Sequence, residues 1–334
     1  MQRHANILFP LLTVLLAALF AIDIMVGSVS ISAHDVWAAI TGGECDPIKA
    51  KIIIDVRLMK ALVAIMAGAA LAVSGLLMQT LFRNPLAGPY VLGVSSGASL
   101  GVALFILGAP LLGVASSPIL SSLGVAGAAW IGSAAVLTMV AAVSRRIKDI
   151  MVILILGMMI GSAVSAIVQI LQYMSHEEAL KSFVVWTMGS LGDVTSSQIW
   201  LVAAAIMAGL LIAVIVIKPL NLMLLGEAYA RTMGLNIKRT RSLILLSTTL
   251  LAGTVTAFCG PVGFIGLAIP HLTRLIFQDA DHRKLMPASI LLGAIALLIC
   301  DIVSKLLTLP INTVTALLGI PIVVWVVIRN KSIV

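Results

Sequence analysis

Residues 84–144 contain no Asp, Glu, Lys or Arg. No water-soluble domain leaves a stretch of that length uncharged, so the chain lives in a lipid bilayer. Its 61% hydrophobic and 10% charged residues agree. Backbone groups in hydrocarbon must satisfy one another, which leaves helices or closed barrels. The long apolar runs lack the two-residue alternation of a barrel. The expected fold class is an all-α polytopic membrane protein, one transmembrane domain over residues 1–334.

A helix needs about 20 residues to cross the hydrocarbon layer. That ruler predicts about ten transmembrane helices, near residues 6–27, 61–82, 91–108, 119–143, 150–173, 196–217, 242–259, 262–277, 285–304 and 312–328. The eighth is the exception, because Pro261 and Pro270 bracket a stretch with Gly263 and Gly266; a broken or re-entrant helix fits it equally well. With the N-terminus inside, ten spans place the C-terminus inside too. Of the 21 Lys and Arg residues, all but Lys49, Lys51, Arg57, Lys60, Lys181 and Lys305 then fall on the inner side, as the positive-inside tendency requires. The net charge of +8 thus has a topological origin, and no nucleic-acid partner is needed.

The first segment has the outline of a signal peptide, but its apolar core is long for one, and a retained helix is expected. Cys45, Cys259 and Cys300 show no metal or redox spacing. Small residues recur every four positions at Ala64, Gly68 and Ala72, at Gly93, Gly97 and Gly101, and at Gly157, Gly161 and Ser165. Such stripes let helix backbones approach closely, and bundle packing is preferred over a pathway lining for each. Gln79, Gln169 and Gln172 are polar residues within spans, either lining a pathway or bonding neighbouring helices.

Near the outer end of the ninth span, Asp301 and Lys305 stand four apart, as an ion pair on one helix would. A proton relay through Asp301 is the alternative, and the pair is preferred because no second acid follows in the spans. Arg57 and Lys60 open the second span, where snorkelling to headgroups explains them. The longest inner connection, about residues 219–240, reads NLMLLGEAYARTMGLNIKRTR after Pro219. Leu225, Ala228 and Met233 can share one side of a short helix there, which fits both a membrane-surface helix and a docking helix.

Three blocks carry a family resemblance. RLMKALVAIMAGAALAVSGLLMQTLFRNPLAGPYVLGVSSGASLG (57–101), GEAYARTMGL (226–235) and GPVGFIGLAIPHLTRLIFQDADHRKLMPASILLGA (260–294) resemble, in the same order, the signatures of the iron-siderophore, heme and vitamin B12 permease family of ABC importers. The resemblance implies a ten-helix subunit that pairs with a second copy, two ATPase subunits below and a periplasmic or lipid-anchored substrate-binding protein above, in a bacterial cytoplasmic membrane. It implies that Gly226, Glu227, Ala228, Arg231 and Gly234 form the helix that couples to the ATPase. Arg57, Lys60 and Lys305 match positions that dock the binding protein, and His271 and Arg274 match a Pro-His-x-x-Arg element of structural or ATPase-contacting role. The chain departs from the pattern at Thr308, Leu309 and Pro310, where an acid and then Pro are frequent, and at Asn312, where Gly is common.

No G-x-x-x-x-G-K-[ST] phosphate loop occurs, so the chain is expected to be a transport subunit without enzyme activity. It is expected to hold no cofactor or metal of its own, with ATP and Mg on the partner ATPase. An intramembrane hydrolase lacks its motif here, and a plain scaffold leaves the coupling segment unexplained. The competing class is an ion-coupled secondary transporter, hinted at by Asp301 and the 260–270 stretch. The cargo is not legible.

Overall fold

The computed structural model describes residues 2–27, 29–43, 45–108, 121–144, 147 and 149–329. Arg145, Arg146, Lys148, Lys331 and the start of the fourth expected span fall outside them. Among the described residues the ordered elements are all helical. In chain order they are α1 (Gln2–Met25), α2 (Ala33–Thr41), α3 (Pro47–Lys51), α4 (Met59–Phe82), α5 (Val94–Ala103), α6 (Ser121–Ser144), α7 (Ile150–Met174) and α8 (Glu177–Thr187). There follow α9 (Ile199–Ile215), α10 (Ile217–Leu224), α11 (Glu227–Thr232), α12 (Ile237–Thr248), α13 (Thr254–Cys259), α14 (Ile265–Phe277), α15 (His282–Leu307) and α16 (Ile311–Arg329). Wide π-helical turns at Ile52–Leu58, Leu104–Gly108 and Thr249–Gly253 join or extend some of them.

Among the described residues five helices are long and apolar enough to cross a bilayer, six when the bent pair α9 and α10 counts as one. Four shorter apolar helices then bring the set to the ten expected segments. Boundaries moved where capping chemistry outweighed hydropathy. The second span begins at Pro47, not 61, because the Asp46 side chain accepts from the Ile48 N–H and Pro47 occupies the first turn. The seventh begins at Ile237, not 242, capped by the Asn236 side chain on the Arg239 N–H.

The eighth segment is a half-length helix. Its 13 residues extend about 20 Å at 1.5 Å per residue, short of a hydrocarbon core of about 30 Å. The missing part is the non-helical stretch 260–264, enclosed by protein. Asn312 Oδ1 accepts the Gly263 N–H at 3.0 Å, and the Cys259 carbonyl accepts the Ser190 N–H at 2.9 Å. Irregular backbone is tolerated at that depth only with such partners. The Asn at 312 is therefore a working part of the fold.

At the centre stands α4, almost wholly buried from Ala61 to Phe82. Its small residues admit two other backbones. A Cβ added to Gly68 would lie 2.2 Å from the Gly293 carbonyl oxygen on α15, and one on Gly75 would lie 1.7 Å from that of Gly266 on α14. Lipid is as apolar as Leu, so helices in it associate through such close packing. Gly75→Ala is expected to destabilise the purified protein by on the order of 3 kcal/mol or to prevent its accumulation, because backbone must shift to admit the methyl. Gly127→Ala, which meets nothing within 4 Å, is the matched control; equal thermal denaturation of the two variants would refute this packing account.

Candidate functional site

The bundle has two structurally distinct ends. At one end α1 closes against α4 and α15. Arg57, on the π turn before α4, is 5% exposed. Its Nη1 donates to the carbonyls of Ile24 (3.0 Å) and Met25 (2.8 Å), and Nη2 donates to that of Val29. The guanidinium thus caps the end of α1, whose last carbonyls have no helical partner. Arg57, expected from the resemblance to dock the binding protein, is thus buried against the end of α1 in this chain.

Beside it lies a buried ionic quartet. Lys305 Nζ stands 2.8 Å from Asp301 and 2.8 Å from Asp23, and Lys60 Nζ stands 2.9 Å from Asp301. Both carboxylates are fully buried, while the Lys60 and Lys305 side chains are 22% and 10% exposed. The expected Asp301–Lys305 pair is present, but a second acid does meet it. Asp23 comes from the first span, far away in sequence, and its place in an otherwise apolar helix was the signal for it. Lys60 and Lys305, expected to face a docking partner, are turned inward onto these acids. Farther out, Lys49 pairs with Asp35 at 3.0 Å, which holds the Asp35 carboxyl below its usual range.

At the other end, α10 leads into the short helix α11. Gly226 (φ 111°) and Gly234 (φ 83°) flank it in backbone conformations that L side chains rarely adopt. Glu227 pairs with Arg241 at 2.5 Å and lies 3.9 Å from Arg231. Arg83 Nη2 donates to the Leu224 carbonyl at 3.1 Å. The outward face presents Leu225, Tyr229 and Met233, each more than half exposed, beside exposed Ala228 and Arg231. Gly226, Glu227, Ala228, Arg231 and Gly234 are thus brought into one compact segment whose apolar face is left exposed by the described residues.

Next to this segment the residues of the 260–294 block interlock. His271 Nε2 donates to the Pro85 carbonyl at 2.7 Å. Arg274 Nη1 donates to Gln79 Oε1 at 2.6 Å, and Gln79 Nε2 donates to the Leu267 carbonyl at 3.1 Å. Gln79, for which bonding of neighbouring helices is the preferred of the two readings, is buried on α4 and bonds it to α14. His271 thus ties the 83–93 connection to α14, and Arg274 ties α14 to α4 through Gln79.

Gln169 has different surroundings. It lines an open groove of about 580 Å³ between the Tyr90–Ser96 stretch and α7, with Ser96, Ser162 and Ser165 among the walls. Gln172 is half-buried, beyond that lining. Gly157 and Gly161 let α7 cross close to Leu92 and Gly93, so this stripe both packs and forms a groove floor. The Gly97 and Gly101 stripe only packs, its added Cβ atoms falling 2.5 and 1.9 Å from the carbonyl oxygens of Gly132 and Ala128.

The sequence matches the model of the FecCD transport family over residues 15–329. The chain belongs to the FecCD transport family. Over 332 residues it is 34% identical to the hemin transport system permease protein HmuU of Yersinia pestis, covering 98% of this chain and 97% of that protein. It is 36% identical over 336 residues to the vitamin B12 import system permease protein BtuC of Klebsiella pneumoniae, covering 99% and 96%. Among solved structures, a metal-chelate type ABC transporter in an inward-facing conformation superposes with a TM-score of 0.82 at 32% identity, covering 97% of this chain and 99% of that one. This FecCD chain is accordingly a multi-pass permease subunit of an ABC importer, a transport protein whose ATPase is a separate subunit.

Three substitutions test the quartet of this FecCD permease. Asp301→Asn leaves Lys60 without its acid and the buried Lys305 with Asp23 alone, and a cost of about 3–5 kcal/mol is expected in thermal unfolding. Lys60→Ala, which removes the more exposed partner, should cost less than Lys305→Ala; the reverse order would refute the assigned burial.

Proposed function

We propose that the chain moves a metal chelate of the hemin, cobalamin or iron-siderophore class across the bacterial cytoplasmic membrane, by ATP-driven alternating access within a binding-protein-dependent ABC importer. The observation that carries this is the α11 segment, an exposed apolar face on a short helix held between two glycines, in a chain that aligns end to end with hemin and vitamin B12 permeases. A face of that kind suits a cleft in a cytoplasmic ATPase subunit. Two ATPase subunits, a second permease copy and a substrate-binding protein complete the assembly.

The charge distribution supports the orientation. Arg83, Lys218, Arg231, Lys238, Arg239, Arg241, Arg274, Arg283 and Lys284 cluster at the α11 end, which we assign to the cytoplasm with both termini. Closure of the ATPases would press on α11 and shift the bundle between outward-open and inward-open states. The groove beside Gln169 is hydroxyl-rich and uncharged, a wall along which a bulky chelate passes without being held tightly. The quartet weighs against ion coupling, because each buried acid already has an ammonium partner.

Uptake into proteoliposomes containing the chain, its ATPase and a binding protein tests the proposal, with radiolabelled hemin, cobalamin and iron-siderophore supplied in turn. Uptake of one cargo that needs both ATP and the binding protein is expected; uptake driven by an ion gradient without ATP would overturn it. Tyr229→Glu with Leu225→Glu should abolish copurification of the ATPase while leaving the permease folded. Retention of the ATPase at wild-type yield would remove α11 from the contact.

A further inference from the structure

One polar constellation at the α11 end is not used by any role described so far. Asn221, on α10, sits between Asp281 and His282 at the start of α15. Its Nδ2 donates to Asp281 Oδ1 at 2.6 Å, which fixes the amide so that Oδ1 faces the histidine. That oxygen accepts from the His282 backbone N–H at 2.9 Å and from His282 Nδ1 at 2.8 Å. The other ring nitrogen, Nε2, carries no proton and accepts from the Thr80 hydroxyl on the last turn of α4 at 2.8 Å, while the Leu76 carbonyl, 2.9 Å from the same Oγ1, is the alternative acceptor for that one proton. His282 is 1% and Thr80 4% exposed. A continuous path of hydrogen bonds therefore runs from α10 through the first turn of α15 to the end of α4.

The covalent routes out of α11 both pass through interruptions of helix. Behind it the chain bends by 49° between α9 and α10. Ahead of it Gly234 stands in open space. The hydrogen-bonded path ends on α4, whose glycines lock it against α14 and α15. Hydrogen bonds in such a buried chain reinforce one another, and a displaced member drags its partners. Arg83 supplies a second tie, from the end of α4 to the Leu224 carbonyl.

We propose that the Asn221–His282–Thr80 bridge is the strut that carries displacement of the α11 segment into the central α4–α15 pair, making these three positioning residues for transport. The inference rests on the importer reading above.

The test is the ratio of cargo moved to ATP hydrolysed in proteoliposomes of the whole complex, with assembly scored by copurified ATPase. Thr80→Val keeps the side chain's shape and removes its hydroxyl; Thr80→Ser keeps the hydroxyl and removes a methyl. Thr80→Val and Asn221→Leu are expected to lower cargo per ATP about tenfold, within the usual range of coupling between distant sites, with hydrolysis changed less than about twofold. Thr80→Ser is expected to stay coupled. The bridge is refuted if uptake and hydrolysis fall in step, if neither falls, or if Thr80→Ser is the more damaging of the two, which is the signature of mere packing. Wild-type uptake that does not need ATP would remove the importer reading and the strut with it, whereas coupled wild-type transport with coupled variants removes the strut alone.

Discussion

The contact between α4 and its neighbours sets the rest of the structure. In lipid there is no water to expel, so helices are held where backbones can touch, and α4 touches α15 at Gly68 and Gly293 and α14 at Gly75 and Gly266. Those contacts leave no room for long side chains, and the one polar residue in the middle of α4, Ser74, turns its hydroxyl back onto the Leu71 carbonyl of its own helix, while the larger polar groups lie at the two ends. Arg57 and Lys60 mark one end, Gln79 and Thr80 the other. Each end then recruits partners by charge or hydrogen bonding, and the bundle is organised around a tight apolar middle with a polar tie at each end.

Much of this was legible in the sequence. Ten apolar segments are visible because lipid imposes a length and forbids charge. The stripe at Ala64, Gly68 and Ala72 announces close packing, since four-residue spacing places small residues on one face. The segment from Gly226 to Gly234 stands out by its glycine brackets and apolar side. What the sequence does not display is which distant residues meet. Asp23 is a lone acid in an apolar run until α1 is laid beside α15. Arg57 looks like a surface cation, and only the fold shows the carbonyls of Ile24, Met25 and Val29 gathered around it. Gln79 has the same ambiguity, settled by Leu267 and Arg274 arriving on either side. Helix starts were missed where Asp46 and Asn236 cap, because a hydropathy window does not register a single side chain accepting one N–H.

The eighth segment shows how an irregular backbone is kept at membrane depth. A helix of 13 residues leaves a stretch with backbone groups to satisfy, and Asn312 accepts the Gly263 N–H while the Ser190 N–H donates to the Cys259 carbonyl just before it. Phe264 adopts φ 64° in the same stretch, an uncommon conformation for a bulky side chain, and its Cβ side faces Gly319, where an added Cβ would come within 2.4 Å. The small residue on α16 and the strained turn before α14 are thus one arrangement.

The quartet of Asp23, Asp301, Lys60 and Lys305 sums to no net charge. Neutral sets of this kind restrict how a lineage can wander. Replacing any one member strands a charge away from water, whereas losing an acid together with its facing lysine restores balance in a single combined state. Substitution at these four positions should therefore proceed in opposite-sign couples drawn from the first, second and ninth spans, with single-site intermediates passing through a less stable protein.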